Sequence, residues 1–362
     1  MNACVRDTAL ALAAVSTAVS LTACGSGAGN TSGSGSARTI GVLLPDSTTA
    51  RWETQDRPLL EQKIRQLCGD CRIEHADAKG DVALQQEQMD SSIAHGVDAI
   101  VLAAVDARAM GASVGRAAAA HIPVIAYDRL AEGPISGYVS FDGEDVGRLQ
   151  GKALLTAMGA KAHGGRIVMM NGDPGDPNAL SFKQGALSEL QGKVTIAKQY
   201  DTPQWSTEAA DLNMAAAISA LGADSINGVY AANDGLAAGS IAALKADKVS
   251  PLPPVTGQDA ELAAVRRIVG GDQYMTVYKP FGPEAAAGGA MAVAAARGRP
   301  LDEVATRRVK TRSGAEVPAV LLTPVSVTLA TIKNTLVKDG VYTLGQICGP
   351  PLVRDCHKAG LT

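Results

Sequence analysis

This chain of 362 residues carries two tryptophans, Trp52 and Trp205, and each follows a predicted strand in a different half of the sequence. An indole offers a flat apolar face and a single N–H, which suits it to packing on the C–H face of an aldose ring. One such face from each half would hold a small ring between them; the alternative is a pair of core tryptophans. Polar groups follow most of the other predicted strands. Asp46 and Arg51 come after the first strand, Asp128 and Arg129 after the fourth, and Asp173, Asp176 and Asn178 after the strand ending at Asn171. Asn233-Asp234, Asp259 and Lys279 follow three later ones. Carboxylate and amide oxygens accept from sugar hydroxyls, Arg and Lys donate to hydroxyl and ring oxygens, and Arg or Asp can bridge two adjacent hydroxyls. Each has a plainer role available, Asn233, Asp234 and Asp259 as helix caps, Arg129 and Lys279 as solvated charges. Their joint occurrence at the same end of successive strands is what points to a site.

Other chemistry finds less support. No Gly-x-Ser-x-Gly occurs, and the run 171–177 (NGDPGDP) lacks the Gly-Lys-Ser/Thr of a phosphate loop. The five histidines, His75, His95, His121, His163 and His357, show no paired ligand spacing, so no metal and no cofactor is called for. With a formal charge of -3 and no basic block, nucleic acid is excluded as a partner.

The elements that must position these residues alternate regularly. Candidate strands are 39–44, 72–75, 99–102, 123–127, 137–141, 165–171, 194–200, 228–232, 254–258, 274–278 and 317–323. Helical spacing lies between them, for example Met110, Val114 and Ala117. Strand-helix alternation implies parallel sheets with right-handed crossovers. These strands are too many for one open sheet of this size, so two α/β domains are expected, with Ala131-Glu132-Gly133-Pro134 as the first crossing. Ligands in such folds collect at the carboxyl ends of strands.

Residues 1–23 read as an export signal: Arg6, an apolar stretch from Ala9 to Leu21, then Leu21-Thr22-Ala23-Cys24 in the form of a lipobox, with Cys24 the lipidated residue. Residues 24–37 continue as a Gly/Ser tether, which places the body outside the cytoplasm on a lipid anchor in the cell membrane. In that setting Cys68, Cys71, Cys348 and Cys356 are expected to pair, and of three connectivities sequence proximity favours Cys68 with Cys71 and Cys348 with Cys356. A redox Cys-x-x-Cys site is the rival for the first pair, although it follows a helix where a reactive thiolate wants a helix N-terminus.

Several motifs resemble, in order, the type I periplasmic binding proteins for monosaccharides, in particular the xylose-binding and multiple-sugar-binding proteins. They are Ala50-Arg51-Trp52, Tyr127-Asp128-Arg129, Asp176-Pro177-Asn178, Asn233-Asp234, Gly257-Gln258-Asp259, Tyr278-Lys279-Pro280 and Leu322-Thr323-Pro324. The resemblance implies two Rossmann-like lobes joined by a three-segment hinge. The N-terminal lobe would be 38–130 plus 279–309, the C-terminal lobe 135–278 plus 317–325, and 326–362 a tail clasped by a disulfide. It also implies ligand contacts at Arg51, Trp52, Asp128, Arg129, Asn178, Trp205, Asn233, Asp259 and Lys279, with Asp46 and Asp106 in second rank. The function implied is non-enzymatic: capture of a monosaccharide, xylose or a similar pyranose, and delivery to an ABC permease with a cytoplasmic ATPase. A receptor presenting sugar to a sensor ectodomain is the alternative. A repressor core shares the fold, but would need an N-terminal helix-turn-helix where this chain has its signal and tether.

Overall fold

The computed structural model describes residues 37–361. The expected signal, Cys24 and the tether through residue 36 lie outside the described residues, as does Thr362. The strands are β1 (Thr39–Leu44), β2 (Arg72–Asp77), β3 (Ala99–Leu102), β4 (Val124–Tyr127), β5 (Gly137–Phe141), β6 (Arg166–Asn171), β7 (Thr195–Asp201), β8 (Gly228–Ala231), β9 (Met275–Tyr278), β10 (Arg307–Lys310), β11 (Glu316–Leu322) and β12 (Val325–Thr328). Among the described residues no helix is long and apolar enough to cross a membrane.

Seven strands form one sheet in the order β10-β11-β5-β4-β3-β1-β2, parallel except for the β10-β11 pair. Its central strands are near-continuous apolar runs because helices cover both faces. Ile40, Val42, Leu44 and Val101 pack toward the helices Arg57–Leu67 and Phe281–Ala296. Leu43, Ile100 and Leu102 pack toward Val82–His95 and Gly111–Ala119. The second lobe is built on β7-β6-β8, all parallel, and on the antiparallel pair β9-β12. Residues 254–258, expected as a strand, run between these groups but keep a single bridge, Val229 to Val255. The Thr256 hydroxyl exchanges hydrogen bonds with the N–H and C=O of Ala231 (3.0 and 3.1 Å), so a side chain takes a ladder position. Backbone bonds from Val229 to Pro254, Tyr274 to Val255 and Val277 to Gly257 still tie the segment on both sides. The short strands β10 and β12 were not expected; β10 reads Arg-Arg-Val-Lys, a charged edge strand with little apolar alternation.

The structure corrects the expected lobe boundaries. β5 pairs with β4, and β11 with β5, so both belong to the first sheet and not to the second lobe. Residues 131–136 make no crossing: Glu132 N–H bonds Ala107 O, Ser136 N–H bonds Val124 O, and Ala131 and Ile135 are buried with Val114. The Gly133-Pro134 break therefore turns the chain within its lobe. The crossings lie between Phe141 and Gly143, between Tyr278 and Phe281, and between Leu322 and Val325. The expected boundary at residues 278 and 279 falls in the second of these. β12, with the tail beyond it, joins the second lobe: Ile332, Leu336, Ile347 and Leu361 pack with Val265, Ile268 and Val269 of the helix Leu262–Gly270. Disulfides link Cys348 to Cys356 in that tail and Cys68 to Cys71 at the end of the helix Arg57–Leu67.

In the second lobe the helices Gly143–Met158 and Pro177–Leu190 touch backbone to backbone. A Cβ at Gly147 would lie 1.9 Å from the Phe182 carbonyl oxygen. Gly147→Ala should therefore force the helices apart and cost about 1–3 kcal/mol, as overpacked cores do. Calorimetry showing an unchanged melting midpoint would mean that the two helices do not meet this closely.

Candidate functional site

The carboxyl ends of both sheets face each other, and the segments that follow the strands build the walls of one cavity. All nine residues expected as contacts line it: Arg51, Trp52, Asp128, Arg129, Asn178, Trp205, Asn233, Asp259 and Lys279. The chain turns helical at Trp52 soon after β1, which carries Trp52 and Arg51 inward. Asp128, directly after β4, has a φ of 59°, a left-handed conformation that Asp tolerates better than most residues. Its carbonyl oxygen is held by the Ser140 hydroxyl (2.5 Å), the Tyr138 hydroxyl (3.2 Å) and the Asn178 amide (3.1 Å). Trp205 stands in the turn after β7 and lies flat on Gly172, where a Cβ would fall 2.0 Å from the indole. Asn233 does cap its helix, accepting from Leu236 N–H at 2.9 Å, and lines the cavity as well. Asp259 is no cap: its φ is 94°, and its carboxylate lies 3.3 Å from Lys279.

Arg51 organises the charges. Nε and Nη2 donate to the two oxygens of Asp56, both at 2.7 Å, Nη2 also to Glu284 and Nη1 to Asp128, both at 2.8 Å. The Tyr127 hydroxyl donates to Asp56 at 2.6 Å, and Lys279 Nζ to Asp128 at 3.0 Å. The guanidinium of Arg51 lies 4.5 Å from the ring centre of Trp52, and that of Arg129 lies 5.5 Å from it. Burial opposes ionisation of Asp128, but Lys279 and Arg51 together hold its carboxyl below the usual range.

Contacts from lobe to lobe draw the cleft nearly shut. Arg129 Nε stands 2.7 Å from Asp176, the Asn178 amide donates to the Asp128 carboxylate at 2.9 Å, and Ala107 N–H bonds Gly175 O at 3.1 Å. The free volume at the centre is about 20 Å³, room for about one water. Both indole N–H groups are buried without an acceptor among the described residues.

The two second-rank residues stand outside this cavity. Asp46 accepts from Thr49 N–H (2.8 Å) and so shapes the loop leading to Arg51. Asp106 closes a turn through Arg108 and Ala109 N–H (2.9 and 2.8 Å) and lines a neighbouring groove. Four lining residues were not singled out as contacts: Thr49, Asp176, Phe182 and Gln258. Asp176 and Gln258 stand inside motifs already quoted, and an Asp before Pro-Asn is itself a helix-start signal. Asp56 and Glu284, the outer partners of Arg51, sit within helical turns and carry no local signal. Among the described residues there is no cluster of three or more metal-ligating side chains.

Two doubly wound lobes facing each other across a polar, tryptophan-walled cleft, with three chain crossings at one side, define a two-lobed small-molecule binding protein. Residues 40–300 match the periplasmic binding protein domain, and the chain belongs to that family, whose members bind substrates for sugar transport and are not enzymes. It is 33% identical to the D-xylose-binding periplasmic protein of Escherichia coli over 84% of this chain and 90% of that protein. It is 30% identical to the multiple sugar-binding periplasmic receptor of Rhizobium radiobacter, over 85% of this chain and 92% of that protein. An ABC transporter solute-binding protein from Clostridium phytofermentans, solved with bound β-D-glucose, superimposes with a TM-score of 0.79 at 28% identity, over 86% of this chain and 100% of that one.

Burial pushes the Asp176 carboxyl up to about 6 against the pull of Arg129, and pushes Glu261 up to about 7 with help from Asp259. A carboxyl that holds its proton more tightly folded than unfolded makes the fold less stable as pH rises from its unfolded value toward its folded one. The contribution of Asp176 should therefore fall between pH 3.8 and about 6. Asp176→Asn should remove that portion of the slope in a calorimetric pH series; matching slopes for both proteins would mean that Asp176 is ionised throughout.

Proposed function

We propose that this protein captures a monosaccharide, an aldopyranose such as xylose or glucose, outside the cytoplasm and hands it to an ABC permease driven by a cytoplasmic ATPase. The observation that carries the reading is the convergence of one tryptophan from each lobe with hydroxyl-binding side chains on a single cleft. D-xylose and β-D-glucose, the sugars bound by two of the relatives, belong to the same chemical class. In this reading Trp52 and Trp205 cover the two faces of the ring. Asp128, Asp259 and Asn233 accept from its hydroxyls, while Arg51, Arg129, Asn178 and Lys279 donate to its oxygens. A pyranose exceeds the free volume of the closed cleft, so capture requires the lobes to part at the three crossings and to close again over the sugar. Closure excludes water and strengthens each polar contact, and the permease distinguishes the closed form.

The test is tryptophan fluorescence of the folded body, residues 38–362, titrated with a panel of aldoses. Because both indoles line the cleft, one sugar should give a saturable change, with an affinity on the order of micromolar. Trp205→Ala should weaken binding by about 1–3 kcal/mol. Asp259→Ala should cost more, since it strands the donors around it. A silent panel with a folded protein would sink the aldose reading, and an unchanged affinity in Trp205→Ala would remove that ring from the site.

Attachment through Cys24 belongs to the same proposal. The chain should incorporate radiolabelled fatty acid when expressed in a bacterium, and Cys24→Ala should not; equal labelling of both would place the lipid elsewhere or nowhere.

A further inference from the structure

The charges behind the cleft do not balance. Arg51 and Lys279 stand within 3.5 Å of four carboxylates, Asp56, Asp128, Asp259 and Glu284. Counting the adjoining pair of Arg129 and Asp176 leaves the same excess of two negative charges. All of these side chains are buried. An uncompensated charge in such a place is relieved by taking up a proton.

The donors are unevenly distributed over these carboxyl groups. Asp56 receives two bonds from Arg51 and one from Tyr127. Asp128 receives Arg51, Lys279 and Asn178. Asp259 receives the Gln258 amide on one oxygen, and its other oxygen, which accepts no hydrogen bond, stands 3.5 Å from Arg51 and 3.3 Å from Lys279. Glu284 receives a single donor, Arg51 Nη2 on Oε2, while its Oε1 is buried without a partner and the residue is wholly inaccessible.

The charged groups that face Glu284 come from three places in the chain. They are Arg51 and Asp56 from the segment after β1, Asp128 from the end of β4, and Lys279 from the crossing that precedes its own helix; Tyr127 adds a titratable hydroxyl. The N-terminus of that helix favours an ionised Glu284 only on the order of tenfold. Burial, reinforced by Asp128 and Asp56, outweighs Arg51 and pushes the Glu284 carboxyl well above the ordinary range.

We infer that Glu284 is a neutral carboxylic acid in the folded protein and a positioning residue for Arg51, holding the guanidinium against the cleft without adding another negative charge behind it. Neutral buried carboxylic acids of this kind are known to serve binding sites at neutral pH. The consequence for sugar rests on the function proposed above; the protonation does not.

The direct test is infrared spectroscopy of the intact protein with ¹³C-labelled glutamate at about pH 8, above the value near 7 reached by Glu261. A carboxylic-acid carbonyl band that moves with the label and disappears in Glu284→Gln is the expected result. Its absence from the wild type would overturn the inference without any substitution being made, and without touching the sugar-binding reading. In unfolding experiments between about pH 5 and 8, the ratio of wild-type to Glu284→Gln unfolding constants should rise tenfold per pH unit, one proton's worth. Parallel slopes would overturn it. In sugar titrations Glu284→Gln should retain affinity within about threefold while Glu284→Ala loses at least about tenfold, since only the amide can still accept from Arg51. Equal losses would show that the charge, not the acceptor, positions Arg51. Should no aldose bind while the infrared band is present, the reading of the cleft fails and the proton stands.

Discussion

Everything at the cleft is organised around the burial of one guanidinium. Taking Arg51 out of water costs several kcal/mol, a cost offset only because two carboxylates, Asp56 and Asp128, and the Glu284 carboxyl close on it with charge-assisted bonds of 2.7–2.8 Å. Those three groups are far apart in sequence. Asp56 lies in the turn after β1, Asp128 at the end of β4, and Glu284 on the helix that follows the second crossing. Arg51 therefore ties together two segments that leave the first sheet and a third that enters its lobe from the second, and Tyr127 locks Asp56 from within the sheet itself. Such a pair is weak evidence for stability and strong evidence for geometry. What the protein gains is a fixed origin from which Trp52, Asp128 and Lys279 are aimed.

The second lobe meets that origin through short polar residues. Asn178 at the start of one helix reaches Asp128, and Asp176, the cap of the same helix, reaches Arg129. Both contacts pair donors and acceptors of the two cleft walls with one another. This accounts for a cleft with almost no free volume whose walls are nonetheless rich in donors and acceptors. The crossings add a second constraint. Asp142 N–H contacts Leu322 O at 3.4 Å, so two of the three strands of chain between the lobes are held to each other as they pass.

Much of this was legible in the residues themselves. Alternating apolar runs and helical spacings marked most of the strands, since a strand buried on both faces has little freedom in composition. The nine cleft residues were legible for a related reason. In a doubly wound sheet, whatever directly follows a strand arrives at the same end, so position along the chain already implies position in space. Partnership across the lobes was not legible in the same way. β5 was misassigned because Gly133-Pro134 signals a turn but not whether that turn stays within a domain, and β11 was misassigned because nothing local to it shows that its partner is β5. Burial of Ala131 and Ile135 against Val114 decides this, and that is a long-range fact.

The sequence by itself determined the class of fold and marked nine of the side chains that line the cleft, and it favoured the two disulfide pairs without fixing them, because these follow from local pattern and short spacing. Only the tertiary structure decided the lobe boundaries, the single bridge left to residues 254–258, and the roles of Asp56, Asp176 and Glu284. These depend on which groups are brought together out of water, and the cost of burying a charge is set by neighbours that no local stretch of sequence contains.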